Sequence, residues 1–110
     1  MPLVMYQGAY TSESLAAQMK NPQNRIESVA SAAADAVGGK LIGSWYSFGD
    51  YDFSVVVEVP DKESMVAIAL AVGAAGALKA AITTPLLTGI EFVAAMTKAS
   101  VVAKIHKPAR

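Results

Sequence analysis

The sequence predicts a single α+β domain with the order strand, helix, strand, strand, helix, strand, followed by a helical extension. Three observations predict it. Short runs rich in β-branched and aromatic residues alternate with longer stretches whose apolar residues recur at helical spacing, and Gly, Pro, Asn and Asp punctuate the junctions. The length of 110 residues suits one core and is too short for a second.

Leu3 to Tyr10 is apolar, aromatic and too short for a packed helix, so it reads as the first strand. Thr11 or Ser12 then caps a helix whose first turn carries Glu13, where a negative charge meets the helix dipole. Asn21-Pro22 interrupts it: Pro22 suits a first helical position and Asn21 caps the continuation. In that continuation Ile26, Val29, Ala30, Ala33 and Val37 share one stripe, and Gly38-Gly39 supplies the stop. Lys40 to Phe48 and Tyr51 to Val59 read as two antiparallel strands joined at Gly49-Asp50, a two-residue turn that needs positive φ.

Asp61 caps a second helix expected to run to about Leu78. Ala80 to Thr88 reads as the fourth strand, and Pro85 within it calls for a sheet edge or a bulge. After Glu91 a last helix carries Phe92, Val93 and Met96, while residues 101–110 are left without an assigned element. Residues 1–98 are taken as the domain and 99–110 as a tail. The element order is ferredoxin-like, βαββαβ: a four-stranded antiparallel sheet with helices on one face.

Composition narrows the function classes. Lys+Arg and Asp+Glu number 9 each, so no global field attracts nucleic acid or an acidic membrane. The absence of Cys excludes disulfides, thiolate metal sites and a cysteine nucleophile. With a start, Met-Pro-Leu-Val-Met-Tyr, that lacks the pattern of a secretory signal, this reads as a cytoplasmic protein. Met65 to Leu78 has no charge but falls short of the roughly 20 apolar residues a membrane span needs. It is apolar in almost every direction around its axis, so it must be buried all round, its outer side under the C-terminal helix or another subunit.

A turn at Gly49-Asp50 pairs Ser47 with Asp52, Tyr46 with Phe53, Trp45 with Ser54 and Gly43 with Val56. Ile42, Tyr46, Phe53, Val55, Val57 and Val59 then share the face against the helices. Leu41, Trp45, Ser47, Asp52, Ser54 and Glu58 share the other, whose mixture of aromatic, hydroxyl and carboxylate suits a pocket wall. A monomer should keep that face polar, so self-association, sheet to sheet, is the expected cover.

These residues also carry a resemblance. Gly38-Gly39-Lys40-Leu41, Tyr46-Ser47-Phe48-Gly49-Asp50-Tyr51-Asp52, Asn21-Pro22-Gln23-Asn24-Arg25 and Thr83-Thr84-Pro85-Leu86-Leu87-Thr88 together resemble the GYD-domain family of small bacterial and archaeal proteins. The likeness covers roughly Met1 to Lys98, with the last dozen residues beyond it. It implies a dimeric α/β barrel, two sheets facing each other around a cavity, and no established activity.

Asp52 is the candidate catalytic residue: enclosed by a partner, its carboxylate would be desolvated and its pKa raised, fitting a general base. The alternative is a hairpin cap that accepts backbone N–H bonds. Trp45 either stacks on an aromatic ligand or anchors the dimer. Ser47, Ser54 and Thr83 are candidates to orient a ligand, with Tyr6 on the first strand, where the choice between Tyr6/Tyr10 and Met5/Gln7 as the cavity side stays open. No histidine stands near them to activate a hydroxyl. His106 is the only histidine; alone in a basic tail, it suits a helix end better than a ligand set. Asp52 and Glu58 lie about 20 Å apart at roughly 3.3 Å per strand residue and cannot share one metal ion. Neither a metal nor a cofactor is expected.

Two functions remain. One is a homo-oligomer binding a small, partly apolar molecule in a cavity between two sheets, either as a binding protein or, in its catalytic form, as a cofactor-independent enzyme of the isomerase or monooxygenase sort. The other is a non-catalytic module for assembly or ligand sensing. Asp52→Asn separates them: a base predicts loss of turnover with the oligomer intact, and an unchanged rate removes the catalytic reading.

Overall fold

The computed structural model describes residues 1–109. Its elements are β1 (Leu3–Tyr10), α1 (Ser12–Lys20), α2 (Arg25–Ala36), β2 (Lys40–Tyr46), β3 (Phe53–Glu58), α3 (Lys62–Ala74), β4 (Leu78–Leu86) and α4 (Gly89–Ile105). The four strands form one antiparallel sheet in the order β2-β3-β1-β4, consistent with a ferredoxin-like fold. β4 is an edge strand, which is where a proline without a backbone donor belongs, and Pro85 sits in it opposite Val4.

The core forms because alternate residues of the two central strands point the same way. Val4 and Tyr6 of β1, with Phe53, Val55 and Val57 of β3 and the following Val59, are buried against Ile26, Ala30 and Ala34 of α2 and Ile68 of α3. Thr11 caps α1 by accepting from the Ser14 N–H at 3.1 Å, and Asp61 caps α3 by accepting from the Ser64 N–H at 2.8 Å. Gly38, at φ +77°, follows the end of α2 in the left-handed conformation that ends helices.

Four details differ from the sequence expectation. First, α2 begins at Arg25, so Pro22 lies in the link before it and not in its first turn. Asn24, at the N-cap position, makes no side-chain cap bond. The Tyr46 hydroxyl at the end of β2 accepts from the Ile26 N–H instead, at 3.2 Å, satisfying an amide that the helix start leaves free. Second, the hairpin has no two-residue turn: strand pairing stops at Tyr46 and Phe53, Gly49 does not take positive φ, and the loop is closed by Ser47 N–H to Asp52 O at 2.8 Å.

Third, the expected pairs Trp45 with Ser54 and Gly43 with Val56 are present, but the register shifts between Leu41 and Gly43. One extra residue on β2 reverses the alternation below it. Leu41 opposes Val57 and packs on the core, whereas Ile42 is 51% exposed, the opposite of their expected faces. Fourth, α3 stops at Ala74 before Gly76, at φ +77°, and Leu78 opens β4.

At the C-terminus, α4 is one helix of 17 residues running through Lys98. A capping box fixes its start: the Thr88 hydroxyl accepts from the Glu91 N–H at 3.1 Å while the Glu91 carboxylate accepts from the Thr88 N–H at 2.8 Å. Those hydrogen bonds to Thr88 hold the Glu91 carboxyl below its usual range. None of its residues is buried and it has no extensive packing on another element, and the molecule is elongated, 58 × 35 × 23 Å. Leu86 lies opposite Leu3, and Leu3 opposite Glu58, so α4 leaves the sheet at the same end at which α3 enters. Among the described residues no helix is long and apolar enough to cross a membrane.

Because Tyr46 ties β2 to the first turn of α2, Tyr46→Phe should lower unfolding stability by about 1 kcal/mol, the ordinary worth of such a bond. Chemical denaturation of the two proteins measures it.

Candidate functional site

α2 packs over β2 and β3, and α3 over β4, which leaves the middle of the sheet between them only partly roofed. A cavity of about 450 Å³ occupies that space. Its floor is Tyr6, Tyr10, Phe53 and Val55 with Thr83; Ile26, Val29, Ala30 and Ala33 of α2 form one wall, and Ile68, Ala69 and Val72 of α3 the other. The rim near α1 carries Ser14, Gln18, Asn21, Gln23 and Arg25. The space exists because small side chains cannot fill it: seven lining residues are alanine, Ala17, Ala30, Ala33, Ala69, Ala75, Ala77 and Ala81.

The floor is aromatic and firmly held. The Tyr6 hydroxyl donates to the Met65 carbonyl of α3 at 2.5 Å, and the rings of Tyr10 and Phe53 lie 5.4 Å apart, tilted by 44°. Gly8 leaves room beside them, since a Cβ there would come within 2.6 Å of the Phe53 ring. Tyr10, Tyr46, Arg25 and Asp52 meet at one corner. Burial lifts the Tyr10 phenol above its ordinary pKa of 10.0; Tyr46 adds to the rise, Arg25 opposes it and Asp52 adds again. Burial raises Tyr6 as well. At neutral pH both hydroxyls are therefore neutral hydrogen-bonding groups and not bases.

The residues singled out in the sequence fall into three places. Tyr6 and Thr83 are opposite each other on β1 and β4 and belong to the cavity floor, on the helix side. Trp45 and Ser54 are opposite each other on β2 and β3, on the far face, where Gln7 Nε2 donates to Ser54 Oγ at 3.4 Å. The Trp45 indole lies back over Gly43, where a Cβ would come within 2.5 Å of it, and is still 57% exposed. With half-buried Leu3, Met5, Val56 and Leu86 and exposed Ile82, this far face is largely apolar and no element of the chain covers it.

Ser47 and Asp52 lie at the hairpin end. Ser47 Oγ donates to the Tyr51 carbonyl at 2.6 Å. Asp52 does two things: its N–H donates to the Gly8 carbonyl at 2.7 Å, and its Oδ2 accepts from the Tyr10 N–H at 2.8 Å. The side chain takes over as acceptor where β3 leaves β1, so the β1–β3 ladder gains one more rung.

Sequence reasoning missed Tyr10, Tyr46 and Arg25 as one corner, and the Val29 and Ala33 wall. A signal was present: α2 carries two adjacent apolar stripes, Ile26-Ala30-Ala34 and Val29-Ala33, too wide for the sheet contact alone and too small to fill a gap. His106 stands at the C-cap of α4, exposed, its N–H donating to the Val102 carbonyl at 2.9 Å. Among the described residues no three acidic, histidine or cysteine side chains group as metal ligands would.

A sequence profile described as GYD domain matches residues 5–96, and the chain belongs to that family. No curated protein and no solved structure matches it.

Raised phenol pKa values link stability to pH. The folded state holds the protons of Tyr6 and Tyr10 more tightly than the unfolded chain, so their contribution is full below pH 10 and is lost as pH rises through the folded pKa values. A spectrophotometric titration should show these two phenols ionising later than in the denatured protein, with Tm falling above pH 10 and falling less in Tyr10→Phe.

Proposed function

We propose that this member of the GYD-domain family binds a small, largely apolar, ring-bearing molecule in the cavity between its sheet and its helices. The observation that supports the reading is the lining itself: about 450 Å³ of apolar space, within the range of small-molecule sites, with its polar groups gathered at one rim. An aromatic floor of Tyr10 and Phe53 favours a flat ring. Arg25 is the one charged side chain in the lining, so a single acidic or acceptor group on the ligand would sit at its end of the cavity.

The reading is binding without proton-transfer chemistry. The lining contains no carboxylate, histidine, lysine or cysteine, and its tyrosines are held protonated. We assign Asp52 the structural alternative, since its Oδ2 is occupied by the Tyr10 amide. The uncovered far face, with Trp45 at its β2 edge, is assigned to a second copy, in keeping with sheet-to-sheet association; on this reading the ligand lies within each subunit and the subunit contact behind it.

The test uses 1-anilinonaphthalene-8-sulfonate, an aromatic probe with one sulfonate. Ala33→Trp fills the cavity from a half-buried wall position. It should weaken probe binding by about tenfold or more, roughly 1.4 kcal/mol, without lowering Tm. Arg25→Gln should weaken the sulfonate probe and leave an uncharged naphthalene unaffected. Equal affinity in the wild type and Ala33→Trp refutes the site.

A further inference from the structure

On α1 the usual arrangement of an amphipathic helix is turned round. Its two large apolar side chains, Leu15 (43% exposed) and Met19 (78%), point to water, while the polar pair Ser14 and Gln18 is half-buried and lines the apolar cavity. Leu15 and Met19 stand only about 100° further round the axis than Ser14 and Gln18. A helix that served merely to cover the sheet would turn the leucine and the methionine inward and leave the serine and the glutamine in solvent.

The pair is bonded within itself and only half used. Gln18 Nε2 donates to Ser14 Oγ at 3.2 Å, and among the described residues neither side chain has another partner. The Ser14 O–H is left to donate and Gln18 Oε1 to accept, next to each other. Exchanging the amide oxygen and nitrogen swaps the two roles and still leaves a donor beside an acceptor. A group that only accepts, such as a carboxylate, meets the free acceptor unfavourably, and a group that only donates leaves the free donor unmet. A hydroxyl gives and takes at one atom and satisfies both.

Position supplies the rest. α1 crosses one end of the cavity from the β4 side toward the β2 side. Its start is tied beside β4, where the Thr11 N–H donates to the Ala77 carbonyl at 3.0 Å, and the chain beyond it enters α2 where the Tyr46 hydroxyl of β2 accepts from the Ile26 N–H at 3.2 Å. β4 and β2 are the two edges of the sheet, so Ser14 and Gln18, on the first two turns of α1, and Arg25, at the start of α2, stand toward opposite sides of the same rim. We propose that Ser14 and Gln18 read a hydroxyl on the ring of the bound ligand, at the edge opposite the acidic group held by Arg25, so that the cavity takes an aromatic hydroxy acid. The inference rests on the cavity reading above and adds to it a second polar group and its place. The Ser14 O–H donates to the hydroxyl oxygen, the hydroxyl proton goes to Gln18 Oε1, and the ring lies over Tyr10 and Phe53.

Two fluorescent probes test it, 2-naphthoate and 6-hydroxy-2-naphthoate, which differ only in a hydroxyl at the far end of the rings from the acid. Titration of the wild type should give the hydroxylated probe about five- to tenfold higher affinity, the ordinary effect of the added hydrogen bonding. Ser14→Ala and Gln18→Met place good helix formers at both positions, so α1 is retained. Each should bring the ratio of affinities down to about one and leave the affinity for 2-naphthoate unchanged. A ratio near one in the wild type, or the wild-type ratio persisting in the doubly substituted protein, overturns the proposal. Ala33→Trp tells this failure from failure of the cavity itself. If it weakens both naphthoates while the ratio survives Ser14→Ala with Gln18→Met, the cavity stands and the hydroxyl contact falls. If both naphthoates bind Ala33→Trp as they bind the wild type, the cavity reading falls and this one with it.

Discussion

Everything in this molecule is arranged around the inward row of β3, where Phe53, Val55, Val57 and the following Val59 lie buried against α2 and α3. A strand alternates strictly, so committing four positions to one side commits Ser54, Val56 and Glu58 to the other. β1 and β2 inherit their phase from β3 through the ladder: Tyr6 is opposite Val55 and therefore faces the helices, and Trp45 is opposite Ser54 and therefore faces away. Moving β3 by one residue would bring a serine and a glutamate under the helices, a desolvation cost that nothing else in the fold offsets.

Given that frame, side-chain size explains the rest. The inner surfaces of α2 and α3 are built from alanine and valine, with few residues large enough to bridge from helix to sheet. The two helices therefore pack mainly on the strands beneath them, and a cavity is left over the middle of the sheet. Two tyrosines secure its edges by hydrogen bonds, Tyr6 to the α3 backbone and Tyr46 to the start of α2. Cavity walls held by hydroxyl groups at fixed distances keep their separation better than walls in purely apolar contact, which can slide and close.

Much of the fold was legible in the sequence because its signals are local. Thr11 and Asp61 announce caps, Gly38 a stop, Pro85 an edge, and the alternation of β3 survives inspection by eye. What escaped were features set by partners distant in sequence. The Leu41–Gly43 bulge depends on how β2 fits a neighbour, so Leu41 and Ile42 exchange faces without any local mark. The Gly49-Asp50 pair looks like a tight turn, yet the chain closes its loop through Ser47 and Asp52. The candidate site was legible in part: Tyr6 and Thr83 line the cavity, but Tyr10, Tyr46 and Arg25 converge from three separate elements, and no spacing rule brings such residues together on paper.

The capping box at Thr88 and Glu91 has a wider effect than ending a loop. Two residues separate the last strand from α4, and both backbone and side chains lock the first turn, so the helix leaves the domain as a stiff spoke and not as a tethered string. A stiff spoke loses little freedom on meeting a surface, and the ordering cost that weakens association through flexible tails is largely met within the lone chain.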